Sequence, residues 1–223
     1  MADQSPSEYF EHIRAEIAPL LPDRAPRRIL EIGSGAGGTL AWLKQRWPEA
    51  EAVACEGQAA LRPVLEQRVD RAVIHNLEQP LPDDLGRFDL ILALDVLEHL
   101  TDPQAVLTNL VALLEPGGAV IVSVPNVAHY KVVRDLLLRR RFDYTDAGIM
   151  DRTHLRFFTE HSALALMRGA GLNVVDGRVN GFGRRRTRLM DWLTLGCARH
   201  YLAEQYIMRG ERGGAGRFRW RFR

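Results

Sequence analysis

Apolar residues at Phe10, Ile13, Ile17 and Leu20 recur in steps of three and four, which places them on one face of an amphipathic helix over residues 7–20. Pro22 and Pro26 end it, and the rhythm changes. Residues 27–32 (RRILEI) form a short apolar run that stops at glycines, as a buried strand entering a loop does. Residues 38–47 (GTLAWLKQRW) return to helical spacing at Leu40, Leu43 and Trp47, and Pro48 closes the helix. The alternation continues with strands at 52–55 and 72–74, a helix at 58–69, a strongly apolar strand at 88–94 (FDLILAL) and a helix at 103–114. Glu115-Pro116-Gly117-Gly118 stops that helix, and 119–124 (AVIVSV) is another apolar strand. After a polar, aromatic and histidine-rich stretch at 126–158 come a helix at 159–170 with Thr159 as N-cap, and strands at 173–179 and 203–208. Near-continuous apolar strands alternating with helices predict an α/β fold: a Rossmann-like, doubly wound, mostly parallel seven-stranded sheet with helices on both faces.

Composition agrees with a folded chain. The 223 residues are 46% hydrophobic with a net charge of +2, so enough apolar surface exists to offset the conformational entropy of ordering. Cys55 and Cys197 cannot build a disulfide framework, and neither sits at a zinc-ligand spacing. With no apolar run of transmembrane length and a polar N-terminus, a cytoplasmic location is expected. The charge is divided unevenly: from Arg178 onward 12 arginines face only Asp191, Glu204 and Glu211, net +9, so the first 177 residues carry net −7. That basic end fits an anionic surface, or is a solvated tail without a partner.

The candidate chemistry begins at Glu31-Ile32-Gly33-Ser34-Gly35-Ala36-Gly37-Gly38, between the first strand and its helix, where glycines allow close backbone approach to a nucleotide-like ligand. Gly33, Gly35 and Gly38 satisfy GxGxxG, which on its own admits a nicotinamide oxidoreductase. Glu31 points elsewhere, because a carboxylate beside the loop suits a cationic amino group better than a pyrophosphate. The ExGxGxG pattern resembles motif I of class I S-adenosylmethionine (SAM) dependent methyltransferases. Glu56, ending the second strand, falls where that resemblance implies a carboxylate on both ribose hydroxyls, although the ribose acid of a dinucleotide fold occupies a similar place. Asn76-Leu77 stands where the family has Asp and an apolar residue beside adenine, and residues 88–100 and 115–124 resemble its fourth- and fifth-strand motifs. The resemblance implies SAM as cofactor, held by Glu31, Gly33, Ser34, Gly35, Gly37, Glu56, Gly57, Asn76, Leu77, Leu94, Asp95 and His99.

Residues 125–130, 141–146 and the string DRTHLRFFT at 151–159 are similar to a methyltransferase subgroup often encoded with surface-glycan and O-antigen genes. It is related more distantly to ubiquinone-biosynthesis O-methyltransferases and to MetW. This resemblance implies O-methylation of a sugar or similar small polar acceptor, and leaves a non-catalytic, MetW-like regulatory role as the competing class. His154 is the first candidate for general base, with Asp151 to orient it and His129 as second candidate; a structural network of Asp151, Arg152 and His154 that pins residues 126–158 is the alternative. His99, beside Glu98, could face the pocket or bind a divalent metal, but no third and fourth ligand stand at a recognisable spacing, so no metal is expected there. One domain is expected over 1–209, with an N-terminal helix in 1–26 and 126–158 as an acceptor lid inserted after the fifth strand. A basic flexible tail, 210–223, follows. Its alternating arginines and aromatics suit an anionic membrane or a lipid-linked acceptor; stacking on single-stranded nucleic acid is the less expected reading, and no nucleic-acid partner is expected. The sequence does not give the oligomeric state.

Overall fold

The computed structural model describes residues 13–182, 185–213 and 218–222. One sheet organises them, with strands β1 (Arg28–Ile32), β2 (Glu51–Glu56), β3 (Arg71–Ile74), β4 (Phe88–Leu94), β5 (Leu114–Pro125), β6 (Leu172–Asn180), β7 (Gln205–Arg212) and β8 (Trp220–Arg221). Their order across the sheet is β3-β2-β1-β4-β5-β7-β6-β8. The first five are parallel, and β7 runs antiparallel between β5 and β6. The chain leaves β1 toward one edge and returns at β4 toward the other, so a crevice opens beyond the carboxyl ends of these two strands.

Successive side chains of the central strands feed opposite cores. Leu30, Ile32, Ile91, Ala93, Val120 and Val122 pack on one face, while Ile29, Leu90, Leu92, Ala119 and Ile121 pack on the other. Both faces being covered, the strands carry no polar alternation. Helices α1 (Gly38–Arg46) and α2 (Arg62–Arg68) lie on the second core, and α3 (Pro103–Ala112) and α5 (Glu160–Gly169) on the first; α4 (Tyr130–Arg139) belongs to the insert. Thr159 caps α5 as expected, in a reciprocal capping box with Ser162.

Three expectations need revision. Residues 59–61 form a 3-10 turn and the helix expected over 58–69 starts only at Arg62, because Pro63 fits the first helical turn and disfavours helix before it. The leading helix is a 3-10 turn, Ala15–Leu20, that contains Pro19; Ile17 and Leu20 are buried but Ile13 is 47% exposed, and Phe10 lies outside the described residues. Among the described residues the sheet has eight strands, not seven.

The eighth strand comes from the segment expected to be a flexible tail. Strand β7 runs past residue 209 to Arg212, and Trp220–Arg221 pairs in parallel with Gly177 and Arg178 of β6. The alternation of arginine with aromatics is the period of a strand: Phe218, Trp220 and Phe222 turn toward the core, whereas Arg219 and Arg221 are exposed. The Trp220 indole donates to Glu160 (2.6 Å), its ring stacks obliquely on Tyr206 (5.1 Å between centroids), and Arg221 pairs with Asp176. The rings that would enter a lipid surface are thereby occupied. Replacing Trp220 by Ala should cost about 2–3 kcal/mol and lower the melting temperature by several degrees in a thermal scan. An unchanged melting temperature would show that this edge contributes nothing to stability.

Candidate active site

At the mouth of the crevice the chain turns sharply out of β1. Gly33, Gly35 and Gly37 all have positive φ (62°, 54° and 77°), and the Gly33 amide donates to the Cys55 carbonyl at 2.8 Å, tying the loop to β2. A Cβ on Gly33 would lie 2.8 Å from Val96 Cγ2, so only glycine allows the loop this close to the segment that follows β4. Glu56, 7% exposed, accepts from the Gly35 amide through Oε2 and from the Gln58 amide through Oε1, both at 2.9 Å. Its carboxylate therefore stands fixed at the end of β2, with further acceptor capacity on each oxygen.

Two buried polar atoms at this loop have no hydrogen-bond partner among the described residues: Glu31 Oε2 and the Ser34 hydroxyl. Buried polar groups are ordinarily satisfied, and an orphan carboxylate oxygen beside a glycine loop is what a cationic ligand group would complete. Burial pushes the Glu31 carboxyl up to about 8, opposed by the positive charge of Arg14. These features fit SAM: Glu31 would meet its amino group, Glu56 its ribose, and Asn76 and Leu77 its adenine. Asn76 is exposed just after β3 with Oδ1 accepting from the Glu78 amide, and Leu77 is half-buried against the core. Gly57 follows Glu56 at the surface, and Leu94 is buried at the end of β4.

A carboxylate held neutral at pH 7 must ionise to receive a cation. Raising the pH from 6 to 7.5 should therefore strengthen SAM binding, with protons released on binding, while the free protein loses the stability of the protonated form as pH rises toward 8. Calorimetry in buffers of different ionisation enthalpy counts those protons. Glu31→Gln should flatten the dependence, and a pH-independent affinity of the unaltered protein would refute it.

Asp95 departs from its expected role. It holds φ = 54° just after β4, and its carboxylate accepts from Arg14 (2.7 Å), the Ser123 hydroxyl (2.8 Å) and the Gln205 amide (2.6 and 2.8 Å). It thus locks β4, β5 and β7 to the N-terminal segment rather than offering a free carboxylate to a cofactor. Arg14, which also pairs with Glu16, carries no local sequence signal; Ser123 was visible as the polar interruption of an apolar strand.

The insert begins and ends at one place. Asn126 bridges Phe158, and the Val127 amide donates to the Phe158 carbonyl at 2.9 Å. Asn126 is fully buried, with its amide nitrogen on the His200 and Ala203 carbonyls (2.8 Å each), so it anchors the insert and does not face an acceptor. Asp151 does not orient His154 either: its Oδ1 accepts from the amide and hydroxyl of Thr153, which makes it a turn former. The DRTHLRFFT string docks through backbone, the Leu155 and Arg156 amides both donating to the Glu98 carbonyl (2.8 and 2.9 Å), and Arg156 reaches the Thr101 carbonyl.

This docking sets His154 beside His99, ring centroids 4.9 Å apart, next to the fully buried Glu98. His154 is 9% exposed, and burial lowers its basicity, so the ring is neutral near pH 7. His129, also depressed by burial, is 2% exposed with Nδ1 unpartnered, and its ring stands against Tyr130. His154, expected on the acceptor side, thus comes together with His99, expected to hold SAM, and with Glu98; the Asp151 carboxylate borders this cluster and acts electrostatically on all three, while His129 is not part of it. Among the described residues no helix is long and apolar enough to cross a membrane.

Known proteins agree with this geometry. The family model described as "Methyltransferase domain" matches residues 6–176. A trans-aconitate 2-methyltransferase of Methylobacterium radiotolerans is 32% identical over 132 residues, 56% of this chain and 51% of the relative, and the ajmaline N-methyltransferase of Rauvolfia serpentina is 32% identical over 45% of this chain and 37% of its own length. The chain thus spans about half of the length of the first of these relatives and less of the second. The solved N-methyltransferase NodS of Bradyrhizobium japonicum, in complex with S-adenosyl-L-homocysteine, shares the fold at TM-score 0.60 and 18% identity, over 95% of this chain and 90% of that one. With the family match over most of its length, and a glycine loop and acidic pair that fit SAM, the chain belongs to the methyltransferase-domain family, of the class I SAM-dependent kind.

Proposed function

We propose that this chain transfers the methyl group of SAM to a hydroxyl oxygen of a small, polyhydroxylated acceptor of the sugar type. The sulfonium of SAM supplies an electrophilic methyl; the acceptor O–H loses its proton, a C–O bond forms, and the S–CH3 bond pair returns to sulfur to leave S-adenosylhomocysteine. The chain's tasks are to align the two reactants, exclude water and provide for that proton.

The observation that carries the reading is the Glu98–His99–His154 cluster on the acceptor side, a set of polar groups able to act on a hydroxyl, directly or through a bound ion, that a sulfur or neutral amine acceptor would not require. The insert supports a neutral acceptor over a polyanionic one. Four of its six arginines are already matched to its own acids, Arg134 and Arg139 with Asp135, Arg141 with Asp143, and Arg152 with Asp146. Phe142 and Tyr144, 44% and 51% exposed, instead present ring surface of the kind on which the C–H face of a sugar packs.

The test is release of S-adenosylhomocysteine from SAM against a panel of sugars, sugar nucleotides, lipid-linked glycans, amines and tricarboxylates. Turnover with a hydroxyl acceptor alone is the expected result. Turnover only with tricarboxylates or amines would overturn the acceptor class. SAM binding with no transfer to any acceptor, together with activation of a co-purifying enzyme, would replace catalysis by regulation.

A further inference from the structure

The cluster just described has the makings of a coordination site, and sequence spacing concealed it. Glu98 and His99 are neighbours in a 3-10 turn, Leu97–His99, while His154 arrives from the insert 55 positions later. One ligand atom from each of the three lies within 4.8 Å of the others. Ligand atoms around one tetrahedral ion at ~2.0–2.2 Å stand ~3.3–3.6 Å apart, so side-chain adjustments of about an ångström bring all three into range.

Two further observations point to a cation. Each imidazole has its Nδ1 against a backbone carbonyl, His99 on Thr153 (3.2 Å) and His154 on Ile149 (3.1 Å). A carbonyl only accepts, so both Nδ1 atoms carry a proton, and in the neutral ring this leaves Nε2 as the atom with a lone pair. This is the outer-shell arrangement that fixes ligating histidines. Glu98, 1% exposed, has an Oε2 with no hydrogen-bond partner among the described residues, an orphan that a cation would satisfy. Two imidazoles and one carboxylate select zinc and its first-row neighbours over magnesium or calcium, which prefer all-oxygen sites.

We infer that Glu98, His99 and His154 bind one divalent transition-metal ion on the acceptor side of the cleft, leaving coordination positions open to an acceptor hydroxyl. Binding of the ion stands on these three residues alone; its role, which rests on the proposed O-methyl transfer, is to lower the pKa of that hydroxyl so that its proton is lost to solvent at neutral pH. His154 is then a ligand and not the general base. The site also ties the DRTHLRFFT segment to the end of β4, so filling it would order the insert.

The test begins with the full chain stripped by a chelator and titrated with Co2+, followed by absorption, and with Zn2+, followed by calorimetry. One ion per chain should bind, with visible Co2+ bands of low coordination number, and Glu98→Gln and His154→Ala should each weaken binding at least tenfold while circular dichroism and SAM affinity are retained. Absence of stoichiometric binding, or binding that survives both substitutions, overturns the site. SAM titrations on the same samples separate the two readings: a protein that binds SAM and methylates a hydroxyl without any ion refutes the role of the ion and spares the methyltransferase. One that binds the ion at this site but methylates nothing upholds the site and refutes the role.

Discussion

Replacing Glu56 by Ala should weaken SAM binding on the order of a hundredfold in calorimetric titration, the largest single effect expected at the cofactor site. The carboxylate is nearly buried and immobilised by two backbone amides, so its remaining acceptor capacity is pre-organised for the ribose hydroxyls. Two charge-assisted hydrogen bonds contribute about 1.5–3 kcal/mol each. Taking about 3 kcal/mol as the net loss gives that factor. The substitution also leaves the Gly35 and Gln58 amides without their acceptor, which loosens the loop that carries the glycines. S-adenosylhomocysteine has the same ribose and should lose affinity in parallel, whereas the acceptor's KM should move little. Unchanged SAM affinity in a folded Glu56→Ala protein would remove the cofactor assignment itself.

The second large effect is expected from Gly33→Ala, a change of one methyl group. At φ = 62° an L side chain costs roughly 1–2 kcal/mol, and the new Cβ would stand 2.8 Å from Val96 Cγ2 and 3.1 Å from Val96 Cβ. Real Cβ contacts do not come so close, so either the loop or the segment after β4 must move. Movement of the loop disturbs the amide that Glu56 holds, and movement of the segment disturbs Asp95 and the Glu98–His99 turn. A fall in melting temperature of several degrees together with at least a tenfold loss of SAM affinity is expected. Shortening the obstructing side chain in a Gly33→Ala, Val96→Ala double variant should restore part of both, leaving the backbone strain. If the single variant matches the unaltered protein in melting and binding, the close approach of loop and segment has no energetic weight.

Much of this molecule was written in short-range pattern. The core strands are legible because a strand covered on both faces must be apolar at every position, and FDLILAL and AVIVSV meet that condition. The glycine loop is legible because positive φ at three positions admits few other residues. Glu31 and Glu56 are legible from their offsets to those glycines. The tail was misread for a physical reason: RFRWRFR has the period of a strand, but two residues of strand adjoining a glycine-rich segment gain stability only from β6, Glu160 and Tyr206, all distant in sequence. Composition suggested a flexible end, and packing overrode it.

The sequence by itself determined the parallel α/β sheet, the glycine turn and the acidic pair beside it, because each depends on residues within one strand–loop–helix unit. Tertiary structure alone decided which polar groups work together. Arg14 meets Asp95 across 81 positions, which occupies the Asp95 carboxylate, and His154 meets Glu98 and His99 across more than 50, which assembles a cluster that spacing denied. Hydrophobic periodicity is local and survives in a linear reading. Charge pairing and coordination depend on distances of a few ångströms between elements, and only the folded sheet, with its insert docked on the turn after β4, sets those distances.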